Sequence, residues 1–217
     1  IIAYGGAVRF GAQVTDIDGI HGRIQAVIVN HEERLETQAL FMGIGHSARD
    51  TYAMLYDKGF AMEAKAFAIG VRIEHPQEFI DRAQYGIDAG NDLLPTADYA
   101  LTYKDTLSGR GAYSFCMCPG GQVVAAASET GGVVTNGMSN YHRDSGIANA
   151  ALLVTVTPED FGREVLDGIQ LQRQCEAAAF RIAGGDYYAP VQTVGDFLAG
   201  RHGSQDFLTV PTYAPGV

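Results

Sequence analysis

An α+β fold, a mixed and largely antiparallel sheet of short strands with flanking helices, is what this sequence predicts, and three observations lead there. Short apolar or alternating runs recur through the 217 residues, separated by clusters of Gly, Pro, Asn and Asp, which is the pattern of strands joined by tight turns. Helical periodicity is sustained over one long stretch only, from about Gly168 to Ala183. Strand and helix signals do not alternate regularly, as the βαβ units of a parallel sheet would require.

Taken in order, Val8 to Ile17 alternates loosely, Asp18-Gly19-Ile20-His21-Gly22 turns, and Ile24 to Val29 runs apolar again, giving a hairpin with a glycine-rich loop. Ala39 to Ile44 lacks polar alternation and reads as a buried third strand. It meets Gly43 and Gly45 and then a helix, with Ser47 as its cap and Gly59 as its left-handed stop. A strand that breaks at glycines into a helix start offers free backbone N–H groups to an anion.

Phe67 to Ile73 is the next strand, and Pro76 starts a short helix carrying Phe79, Ile80 and Ala83. Residues 86 to 96 have loop composition. Tyr99 to Tyr103, Tyr113 to Met117 and Val123 to Ala127 read as strands, the last two joined as a hairpin through Cys118-Pro119-Gly120-Gly121. Val133 to Asn136 is a further strand, and Gly137 to Gly146 is polar and irregular. Ala150 to Val156 leads into Thr157-Pro158-Glu159-Asp160, a cap-and-proline helix start. Leu171, Cys175, Ala178, Ala179 and Ile182 share one face of the long helix, which Gly184-Gly185 ends, and Val194 to Leu198 makes a short turn.

Composition narrows the function. With 25 acidic against 15 basic residues the formal charge is −10, and no Lys/Arg cluster interleaves with aromatics, so nucleic acid is not the expected partner. No apolar run reaches the roughly 20 residues that cross a bilayer, and no basic-then-apolar signal opens the chain. The setting expected is cytoplasmic. Cys116, Cys118 and Cys175 are an odd set that does not look like a secreted disulfide framework, so reduced thiols are the default. An opening Ile1 and a closing Pro215-Gly216-Val217 read as the ends of an excised fragment.

Four stretches carry candidate chemistry. Gly43-Ile44-Gly45-His46-Ser47-Ala48 matches Gly-x-Gly-x-x-Ala, with Glu63 twenty residues past the first glycine to hold a ribose hydroxyl. The ordinary reading is a strand-to-helix connection. Arg49 stands where a nucleophile elbow needs its second glycine, which argues against a hydrolase. Arg72-Ile73-Glu74-His75 places a guanidinium, a carboxylate and an imidazole at a strand end, where Arg72 and Glu74 can simply pair, or the group can bind an anion and move a proton. Cys116-Met117-Cys118-Pro119 lacks a second close pair of ligands for zinc, so no metal is expected; its thiols are either inert or redox-active. Thr135-Asn136-Gly137-Met138-Ser139 followed by Tyr141-His142-Arg143 gathers polar groups in a loop.

These runs, from Gly45 to Thr51, Gly70 to Gln77, Tyr113 to Gly121, Thr135 to Ser139 and Val194 to Leu198, resemble in order those of the bacterial FAD-dependent dehydrogenases described as NAD(FAD)-utilizing. The resemblance implies that residues 1–45 are the tail of an FAD-binding domain and residues 46–217 the substrate domain. It places the glycine-rich pyrophosphate loop before residue 1 and a second flavin-contacting segment after residue 217. Val14, Gly43, Gly45, His46 and Ser47 would then face FAD. His75, Arg72, Glu74, Cys116 and Cys118 would serve catalysis, and Asn136 and Ser139 would contact substrate. The expected function is part of an FAD-dependent oxidoreductase shaping the substrate pocket beside the flavin, with NAD(P) as a further electron carrier. The fragment alone would be inactive; its partners would be a small-molecule substrate and the flanking segments of its own chain, with neither nucleic acid nor membrane. The rival expectations are a stand-alone NAD-binding Rossmann domain built on Gly43, Gly45 and Glu63, and a non-catalytic interaction module.

Overall fold

The computed structural model describes residues 1–201 and 206–216. It divides into two compact units, Ile1–Met62 and Glu63–Val217. Both are α+β, and among the described residues every strand pairing is antiparallel apart from one two-residue parallel pair.

The first unit is a three-stranded meander of β1 (Val14–Ile20), β2 (Arg23–Val29) and β3 (Glu33–Glu36) in that order, followed by α1 (Arg49–Asp57). The hairpin turns at His21 and Gly22, both with positive φ (51° and 75°), the geometry that matches the twist of two-residue hairpins. Its strands therefore run closer to the turn than the Asp18-Gly19 signal suggests, to Ile20 on one side and Arg23 on the other. Ile17, Ala26, Val27 and Val29 are its buried apolar side chains.

Two expectations fail in this unit. Residues 39–44 form no strand, and Phe41 is 95% exposed, because no neighbouring strand pairs with the run and its apolar side chains have nothing to cover them. Ser47 does not cap α1; Ala48 is the cap residue and Ser47 Oγ lies 3.3 Å from His46 Nε2. The stop is as expected, with Gly59 at φ 76° and the Phe60 amide donating back to the Leu55 carbonyl.

The second unit is built on a four-stranded antiparallel sheet in the order β4 (Phe67–Pro76), β9 (Ile147–Val156), β6 (Gly111–Cys118), β5 (Thr102–Lys104). β7 (Gly121–Ala125) and β8 (Thr135–Ser139) pair separately. Here the expected β6–β7 hairpin fails. Gly120, at φ 53°, carries the chain out of one sheet and into the other, and β6 takes β9 as its partner instead.

Helix α2 (Gln77–Tyr85) follows Pro76 directly, and its Ile80 packs with Ala97 and Ala148 in a buried cluster edged by Tyr85, Tyr99 and Met117. Thr157 and Asp160 close a capping box on α3 (Pro158–Phe161), with proline in the first turn. Asp160 also takes both Arg110 guanidinium nitrogens, which together with that box holds its carboxyl down at about 2. The long helix α4 (Asp167–Ile182) ends at Gly184 and Gly185, both left-handed, and α5 (Val194–Ala199) is capped by Thr193. A short parallel pair of β10 (Ala189–Pro190) and β11 (Pro215–Gly216) completes the unit.

Candidate functional site

Alternation along β4 decides how the Arg72-Ile73-Glu74-His75 cluster is spent. Arg72 and Glu74 lie on one face of the sheet, and His75 lies on the other with Ile73. The expected single cluster is thus two sites back to back.

On the first face Arg72 is half-buried. Its guanidinium donates to the Cys116 carbonyl (3.3 and 3.2 Å), to Asn136 Oδ1 (3.2 Å) and to Asn149 Oδ1, and its Nη1 lies 4.0 Å from Cys118 Sγ. Every one of these partners is neutral, and no Asp or Glu among the described residues pairs with it. Asn149 stands opposite both Glu74 and Cys118 in the sheet and is fully buried. Its carbonyl oxygen must face the all-donor guanidinium, so its amide nitrogen points elsewhere, and there it has no acceptor among the described residues. The site is a cation held by dipoles beside an unspent buried donor. Such a cation keeps its full charge for an anion, which is the difference from an arginine already neutralised by a carboxylate.

Glu74 does not pair with Arg72. Its carboxylate accepts from the Thr212 amide (3.3 Å) and the Thr212 hydroxyl, which in turn accepts from the Val123 amide at 2.8 Å. Asn136 Oδ1 also takes the Gly137 amide at 2.8 Å, and Ser139 Oγ donates to the Pro119 carbonyl at 2.8 Å. Gly137 has no room for a side chain: a Cβ would intrude on Arg72 Nη1 and Asn149 Oδ1 and sit 2.6 Å from Arg72 Cζ. Gln77 ties the region together, its Oε1 accepting from the Gly120 amide and its Nε2 donating to the Ala97 carbonyl.

On the second face His75 Nε2 lies 2.8 Å from the Tyr99 hydroxyl, with the Tyr99 ring edge-on to the imidazole. Burial lowers the His75 pKa and raises that of Tyr99, which keeps a neutral imidazole beside a neutral phenol. A depressed histidine pKa favours the fold at pH above its ordinary 6.5 and works against it as the pH falls through the lowered value. Wild type should therefore lose more of its urea-unfolding free energy between pH 7.5 and 5.5 than His75→Gln does. Equal losses in the two proteins would show that this imidazole is not the acid-sensitive group.

The residues expected to face FAD all fall in the first unit. Val14 opens β1 and is half-buried, whereas Gly43, Gly45 and His46 lie in exposed irregular chain. Asp50 sits in the first turn of α1, where it accepts from Gln13 Nε2. A pyrophosphate seat needs a strand feeding a helix whose first turn repels no anion, and this segment has neither feature. The stand-alone Rossmann expectation is overturned by the same observation and by the antiparallel meander. The residues in hand do not by themselves supply a dinucleotide site.

Sequence reasoning missed Asn149, Tyr99, Gln77 and Thr212. Asn149 did leave a signal, the one side-chain amide in a ten-residue run whose other members are apolar except Thr155. An open cleft of about 420 Å³ lined by Ala125, Val133, Tyr187 and Tyr213 contains none of the expected site residues. No group of three or more His, Cys, Asp or Glu suited to a metal occurs among the described residues, and no described helix is long and apolar enough to cross a membrane.

Comparison with known proteins adds two findings. The family described as "FAD-dependent protein, C-terminal domain-like" matches residues 66–217. An uncharacterized protein of Clostridium beijerinckii is 51% identical over 213 residues, which is 98% of this chain and 40% of that relative, so the chain spans well under half of the protein it resembles.

Proposed function

We propose a reading whose premise is that the chain belongs to the FAD-dependent protein C-terminal domain-like family: it forms the substrate side of a larger FAD-dependent oxidoreductase. The flavin, when bound, supplies the redox chemistry, and other parts of the parent hold its phosphates. Arg72 binds an anionic group of a small substrate, with Asn136 and Asn149 fixing the guanidinium plane. Ser139 and Glu74 keep the surrounding turn and strand in register through Pro119 and Thr212. His75 lies on the opposite face of the sheet, paired with Tyr99, so it takes no part at the anion held by Arg72. The observation that carries this reading is the half-buried guanidinium with four neutral partners and, among the described residues, no carboxylate.

The test is made on the complete parent protein, using the visible absorbance of bound oxidised flavin. Titration with succinate, a dicarboxylate probe, should perturb the flavin spectrum saturably. Arg72→Gln should weaken that binding about 10- to 100-fold, the range expected for losing one charge-assisted contact of about 1.5–3 kcal/mol. Equal dissociation constants for the two proteins would remove Arg72 from the site, and a parent that purifies without flavin would remove the flavin.

A further inference from the structure

The pair Cys116 and Cys118 stands apart from the anion site it adjoins. The register of β6 against β9 slips between Phe115 and Cys118, and Cys116 takes a left-handed φ of 44°, uncommon for a residue with a side chain. At that kink Cys118 Sγ donates to the Cys116 carbonyl at 3.3 Å. Burial pushes the Cys118 thiol up first, the Cys116 sulfur adds to it, and Arg72 pulls the opposite way. Their exposure is unequal, with Cys116 open to solvent and Cys118 buried.

We propose that Cys116 and Cys118 form a redox-active dithiol that exchanges with small-molecule disulfides, the solvent-exposed Cys116 attacking first and Cys118 resolving. The Cys116 thiolate attacks one sulfur of a disulfide RSSR, forming a Cys116–SR bond and releasing one RS⁻. Cys118, as thiolate, then attacks the Cys116 sulfur, forming the Cys116–Cys118 bond and releasing the second RS⁻. The protein loses two electrons and two protons, and RSSR becomes two RSH. A disulfide spanning a single intervening residue is strained, and strained disulfides have the more oxidising potentials typical of labile or catalytic bonds rather than structural ones. Closing it removes the Cys118 thiol from beside Arg72, so the state of the pair is felt at the guanidinium. The proposal needs no flavin, so it stands or falls separately from the reading of Arg72.

The experiment equilibrates the purified chain in buffers of graded reduced and oxidised glutathione, quenches with acid, alkylates free thiols and maps peptides by mass. Wild type should show the Cys116–Cys118 peptide two hydrogens lighter and unalkylated as the buffer becomes oxidising, while Cys175 is never linked to it. Cys118→Ser should stop at a single glutathione on Cys116, which also shows that the first step works when closure cannot. If wild type instead accumulates glutathione on Cys116 with Cys118 alkylated across the whole range, or keeps both thiols alkylated throughout, the dithiol proposal is wrong.

Discussion

Replacing Gly137 by alanine should lower the melting temperature of this chain by about 2–12 °C and disrupt the Arg72 site at the same time. The added Cβ would meet Arg72 Nη1, Arg72 Cζ and Asn149 Oδ1. None of these can swing away cheaply: the guanidinium is held by the Cys116 carbonyl and Asn136, and Asn149 is wholly buried. Overpacking of this kind costs about 1–3 kcal/mol, and in a protein of this size each kcal/mol is worth roughly 2–4 °C. Gly43→Ala is the control, since a Cβ there meets nothing within 4 Å and its φ is not left-handed. Equal melting temperatures for wild type and Gly137→Ala would mean that β8 does not press on the guanidinium.

Local chemistry explains which elements were legible in the sequence. The capping box of Thr157 and Asp160, the paired glycines after α4 and the hairpin around His21 and Gly22 are each decided within a few residues, so the signal and its cause lie together. Partner choice does not work that way. Pro119-Gly120-Gly121 reads as a hairpin turn, yet the competitor that wins β6 is β9, some thirty residues on. The run from Ala39 to Ile44 has strand composition, and composition cannot supply the neighbour a strand must pair with.

The candidate site divides along the same line. Arg72, Cys116, Cys118 and Asn136 were visible as residue types in suggestive places, and the fold does gather them around one guanidinium. What holds Glu74 could not be read, because Thr212 lies 138 positions away and carries no mark of its partner. His75 shows a different failure. The alternation that links Arg72 to Glu74 also excludes His75 from their face, so the period of two that was used for one pair had a consequence for the third residue.

That arrangement makes Asn149→Asp the most discriminating change, because it alters charge while nearly preserving shape. Asn149 Oδ1 already accepts from Arg72, so an aspartate would occupy the same position and turn a neutral bond into a charge-assisted one. The unspent amide donor disappears with the substitution. Two buried charges that satisfy one another leave the fold near neutral in stability, since desolvation and attraction roughly cancel. The melting temperature should therefore stay within a few degrees of wild type, about one kcal/mol in these terms. Binding is another matter: the guanidinium would be neutralised from within, and succinate affinity in the parent should fall by at least about tenfold. Asn149→Leu should do the reverse. It strips an acceptor from a half-buried cation, costs about 1–3 kcal/mol of stability, and leaves the charge on Arg72 available. If Asn149→Asp binds succinate as wild type does, the charge of Arg72 is not what draws an anion to this face, whatever the guanidinium contributes to holding β4, β8 and β9 together.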